Sequence, residues 1–123
     1  MKKLIMLFCA LQCIFLSACW HSDKNTSIRY TDNYDSYSMD AWFGRSKTKR
    51  AERYMNETMG RQNNFSFHHT ETDAVITLDD GSKFYMKKSP GHIVIKMNKD
   101  ETSDKAYHTI KNMCRGMKDV ILK

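Results

Sequence analysis

Apolar and polar positions change period several times along the chain, and each change predicts an element. Ala51, Tyr54, Met55, Thr58 and Met59 fall at i, i+3, i+4, i+7 and i+8. That is one face of an amphipathic helix over about residues 47–59, with Gly60 placed to end it in a left-handed cap. Before it, residues 38–43 form an apolar cluster expected to make a short helical turn stopped near Gly44. Phe65-Ser66-Phe67-His68 alternates and predicts a strand. Residues 73–87 predict a hairpin, and two registers compete across Asp79-Asp80-Gly81. A two-residue loop sets Val75 against Met86 and Ile76 against Tyr85, so that neither face is apolar. A three-residue loop with Gly81 in the left-handed region sets Ile76 against Phe84 and Ala74 against Met86, with Leu78 on the same face. The other face then pairs Asp73 with Lys87 and Thr77 with Lys83. This second register separates core from solvent and is the expected one. Ser89-Pro90-Gly91 makes the next turn, and Ile93, Ile95 and Met97 share one face of a strand over residues 92–97. Ala106, Tyr107, Ile110, Met113, Cys114, Met117 and Ile121 step by three or four along a helix from about 103 to 122. Asp104 in its first turn and Lys118 and Lys123 near its end complement the helix dipole. The expected fold is α+β: a small antiparallel meander of three or four strands, with a helix before it and a long helix after it, packed on one face.

The first nineteen residues follow a different pattern. Lys2 and Lys3 precede an apolar run over residues 4–16 that only Gln12 interrupts, and Ser17 and Ala18 follow. A charged start, an apolar core and small residues make a secretory signal peptide. The run is shorter than the roughly 20 residues a spanning helix needs. Leu16-Ser17-Ala18-Cys19 resembles the lipobox of bacterial lipoproteins, a resemblance confined to this leader. It implies that Cys19 carries a thioether-linked diacylglycerol, that cleavage falls before it, and that its new amino group is acylated. Several chains on one cysteine hold a domain far more firmly than one, since each buried methylene contributes about 0.8 kcal/mol. Trp20, rather than an aspartate, follows the cysteine, which implies an outer-membrane lipoprotein facing the periplasm, with the inner membrane as the alternative. Residues 1–18 are then the signal, 19–37 a polar, flexible lipidated tether, and 38–123 a single domain.

Composition narrows this further. Of 123 residues, 20 are basic and 14 acidic. Loss of Lys2 and Lys3 leaves 18 basic against 14 acidic, too mild an excess for a dedicated nucleic-acid binder. The four cysteines do not make a disulfide framework. Cys9 and Cys13 leave with the signal and Cys19 is lipidated, so Cys114 stands alone. It lies on the apolar stripe of the last helix, as a buried core thiol rather than a nucleophile.

No catalytic pattern emerges: there is no Gly-x-Ser-x-Gly, His-Glu-x-x-His or glycine-rich phosphate loop. Nine methionines and several histidines raise envelope copper binding as one alternative. However, Met55/Met59 and Met113/Met117 lie on stripes that packing already explains, and no metal or cofactor is expected. The basic run Arg45, Lys47, Lys49, Arg50 and Arg53 suits a solvated helix face, or contact with anionic headgroups or an acidic protein surface. Beside it, Trp42, Phe43 and Tyr85 could bury against a partner. Together these eight residues are the expected partner-binding set of a non-catalytic, envelope-anchored protein. An immunity-type inhibitor of a toxin or lipase delivered to the periplasm is the concrete version. A structural or assembly role in an envelope or secretion machine is the other alternative.

Overall fold

The structure, a computed structural model, describes residues 26–60 and 71–123. Five strands form one antiparallel sheet: β1 (Ser27–Asp32), β2 (Ser36–Trp42), β3 (Thr72–Thr77), β4 (Lys83–Ser89) and β5 (His92–Asn98), in the order β1-β2-β5-β4-β3. Helix α1 (Thr48–Met55) continues into a π-helical turn (Asn56–Gly60), and α2 (Asp104–Leu122) closes the chain. The α+β class and the long last helix agree with the apolar periods. The first helix does not precede the sheet, however. It is inserted between the β1–β2 hairpin and the β3–β4–β5 meander, which join where β2 pairs with β5.

Two expectations change. The part of the presumed tether from 27 to 37 is β1 and the start of β2, and residues 38–42 are strand rather than a helical turn. In β2, Tyr37, Met39 and Ala41 point inward and alternate with Ser36, Ser38 and Asp40. Small and polar residues fill the outward positions of this period of two, which makes the strand look like a linker. β1 is an edge strand with only one neighbour, and its exposed polar residues carry almost no apolar signal. The expected strand at 65–68 and the segment 19–25 lie outside the described residues.

The β3–β4 register is the three-residue-loop one: Ile76 opposes Phe84, Ala74 opposes Met86, Asp73 opposes Lys87 and Thr77 opposes Lys83. Gly81, with φ of 87°, takes the left-handed position that loop requires. The helices cover one sheet face. Met39, Phe84, Met86, Ile93 and Ile95 meet Met55, Ile110, Met113, Met117 and Ile121 in a core without solvent contact. Unbranched methionines suit the uneven gap between a twisted sheet and two helices.

Polar ties register the helices on the sheet. The Ser103 hydroxyl caps α2 by accepting from the Ala106 amide. Tyr30 Oη donates to the Cys114 carbonyl at 2.8 Å, and Tyr54 Oη donates to the Met113 carbonyl at 2.9 Å. The Tyr54 hydroxyl lies where a Cβ on Gly116 would project, so a side chain at that position would displace the hydroxyl from the Met113 carbonyl. Lys88 continues the inward series of Phe84 and Met86, and its Nζ meets Glu52 Oε2 of α1 at 3.2 Å with both side chains buried. Among the described residues no helix is long and apolar enough to cross a membrane.

Candidate functional site

The helices leave the second sheet face uncovered. Strand alternation decides what it shows, because every inward residue turns its neighbours outward. Across the strands this face carries Arg29 opposite Asp40, Asp40 opposite Val94, Val94 opposite Lys87, and Lys87 opposite Asp73. One step along, Lys96 stands opposite Tyr85, and Tyr85 opposite Val75. A hollow of about 370 Å³ opens here, with Arg29, Lys87 and Lys96 around it and Val94 among its lining.

Charge on the face is unevenly satisfied. Asp40 is opposite Arg29 in register, yet its Oδ1 is bonded to His92 Nε2 at 2.8 Å. Asp73 is opposite Lys87, yet its Oδ1 accepts from Tyr85 Oη at 2.7 Å. That bond to a carboxylate raises the Tyr85 pKa, so the phenol stays a donor. Hydrogen bonding leaves both carboxylates in place as charges, so Arg29, Lys87 and Lys96 against Asp40 and Asp73 give the face a small excess of positive charge. At one rim the Trp42 ring stacks on the His92 ring, centroids 3.6 Å apart and planes 12° apart, while Trp42 keeps half its surface exposed.

The expected contact residues separate into three groups. Tyr85 is on the open face and Trp42 on its rim. Phe43 is buried in the core and cannot meet a partner, because a residue next to an outward Trp42 turns inward. The basic run lies on the helix side. Lys47 is tied down, its Nζ donating to the Ile121 carbonyl at the end of α2 at 2.7 Å. Arg45, Lys49, Arg50 and Arg53 are exposed. Arg50 and Arg53 border a groove of about 530 Å³ between α1 and α2, shared with Glu57 and Asp119. Cys19 lies outside the described residues.

Arg29, Lys87, Val94 and Lys96 were not among the expected contacts. Arg29 fell in the presumed tether. Lys96 sits between the inward Ile95 and Met97, a position that alternation alone turns outward.

His92 is held between Asp40 and Trp42, and no hydroxyl or thiol is hydrogen-bonded to its ring among the described residues. Cys114 is in the core, its thiol pushed up to about 12 by burial. Among the described residues no group of three or more histidine, cysteine or acidic side chains is placed to hold an ion. No protein-family model, curated protein or solved structure matches the chain.

Proposed function

We propose that this is an envelope lipoprotein, held by lipid on Cys19, that works without catalysis by presenting its open sheet face to an acidic surface of a protein partner. The observation that carries the reading is the hollow itself: three cations around Val94, with both nearby carboxylates committed to other side chains. Arginine and tyrosine in a half-dry concavity are the residue types that anchor interfaces. The excess of cations around them favours an acidic partner and speeds its approach. The concrete form is an immunity-type lipoprotein that blocks a toxin or lipase entering the periplasm. The lipobox, followed by Trp20, supports the outer membrane as its site.

The test is capture of a partner from envelope extract by the full chain carrying a tag at its carboxyl end. Wild-type chain is expected to retain an acidic protein at low salt and to lose it as salt rises. Reversal of the face charges (Arg29→Glu with Lys87→Glu and Lys96→Glu), with the circular dichroism spectrum unchanged, is expected to abolish capture. Undiminished capture by that variant would remove the face from the interface.

A further inference from the structure

We propose that the end of the domain at which the chain enters β1 lies against the anionic headgroups of the membrane that holds Cys19. The proposal rests on the lipid-anchor reading above. It concerns the end of the domain, which meets the open face only at the Trp42 rim.

The ends of the elements define this pole. Ser27, the first residue of β1, is paired with Trp42, the last of β2, which is paired with His92, the first of β5. The turn at residues 89–92 is stitched to the start of α1: the Phe43 amide donates to the Gly91 carbonyl, and the Gly91 amide donates to Thr48 Oγ1 at 3.0 Å. The Lys47 ammonium reaches the Ile121 carbonyl and so brings the end of α2 to the same place. Two of the few large apolar side chains exposed on the described surface sit here, Trp42 at 52 % and Leu122 at 47 %. Around them are Arg45, Lys49, Arg50 and Lys123, all exposed. Aromatic and aliphatic groups ringed by lysine and arginine form the composition that settles at a bilayer surface.

The opposite pole has the opposite charge. It gathers the β1–β2 turn, the β3–β4 turn and the β5–α2 connection. The Lys99 amide is bonded to the Asp35 carbonyl, and Asp80 accepts from the Ser103 hydroxyl and the Ser82 amide. Asp35, Asp79, Asp80, Asp100, Glu101 and Asp104 are all exposed there and outnumber the exposed Lys83, Lys99 and Lys105. The molecule is thus polarised along its strands, and an anionic leaflet attracts one end and repels the other.

Tether length keeps this end of the domain close to the membrane. Only residues 20–26 separate Cys19 from Ser27. Fully extended, that stretch spans at most roughly 26–29 Å. The basic pole therefore stays within reach of the surface, while screening limits its attraction to about 8 Å at physiological salt. With the strands running away from the membrane, the open face stands sideways and remains accessible to a partner.

The experiment reconstitutes the full-length lipidated chain carrying Trp20→Phe, so that Trp42 is the remaining tryptophan, into vesicles with and without phosphatidylglycerol. Flotation scores the anchor, and quenching of Trp42 by brominated lipid scores the pole. The expected result is flotation with both vesicles, and quenching that is strong with phosphatidylglycerol, weak with phosphatidylcholine alone and reduced by salt. The triple reversal Arg45→Glu, Lys49→Glu and Arg50→Glu is expected to bring quenching down to the phosphatidylcholine level while flotation persists. Salt dependence in the unreversed chain reads the same attraction should that variant fail to fold. Flotation without quenching, or quenching indifferent to lipid charge and salt, overturns the proposal and leaves the anchor standing. A chain that does not float overturns both.

Discussion

Cys114 shows how one position reports its surroundings. Its side chain has no solvent contact, and burial pushes the thiol up to about 12. Tyr30, Tyr37 and Tyr54, on the same side of the sheet, are raised as well, with burial as the largest cause. Each of these acids is neutral at pH 7 and is held neutral longer in the folded chain than in the unfolded one. Their contribution is fully present below their unfolded values of 9.0 and 10.0 and is lost as pH rises through the folded values. Stability should therefore be flat near neutrality and fall above about pH 9, which denaturant titration across that range would measure. In the native chain, Cys114 should resist iodoacetamide and react only on unfolding. Labelling at the native rate of a free thiol would show that the core is open at that point. The apolar stripe of α2 already placed Cys114 inward. At Phe43, local composition pointed the wrong way, because an aromatic beside an exposed Trp42 looks like part of the same patch until strand alternation separates them.

At the scale of elements, α1 is held to the sheet by a buried ion pair as well as by methionine packing. The Lys88 and Glu52 side chains are 4 % and 6 % exposed, 3.2 Å apart. Desolvation offsets most of the attraction in such a pair, whereas removing one partner strands the other charge. Lys88→Met should cost about 3–5 kcal/mol. The double variant Lys88→Met with Glu52→Leu should recover much of that loss. Urea titration of the two single variants and the double variant gives the coupling energy. Additive losses would show that the two side chains act separately. Inward Lys88 follows from the β4 register, but Glu52 as its partner does not, since residues 36 positions apart meet only when α1 crosses β4. The elements differed in legibility for a similar reason. The β3–β4 hairpin and α2 carry strong periods with marked ends. β1 is mostly polar and β2 alternates serine and aspartate with its apolar residues; pairing of β1 with β2 and of β2 with β5 makes them strands.

For the whole molecule, the layout separates two charged surfaces that lie side by side in the chain's composition. Arg29, Lys87 and Lys96 surround the open face, and Arg45, Lys49 and Arg50 crowd the pole where the chain enters. If the two act independently, reversing the face charges should abolish partner capture and leave Trp42 quenching by anionic vesicles intact. Reversing the pole charges should do the opposite in the same pair of assays. Loss of both readouts from either variant, with folding preserved, would mean that one surface serves both purposes.

Local pattern by itself determined the helix periods, the three-residue hairpin loop and the inward faces of β4, β5 and α2. These depend on neighbours within one or two turns of chain, where side-chain spacing and glycine conformation suffice. Tertiary structure alone decided that polar residues 27–37 form two strands, that the first helix is inserted between two hairpins, and that one sheet face remains bare. It also decided which charges share a surface. Arg29, Lys87 and Lys96 come from three strands spread over nearly seventy residues, and only the pairing of β1, β2, β5 and β4 gathers them around one hollow.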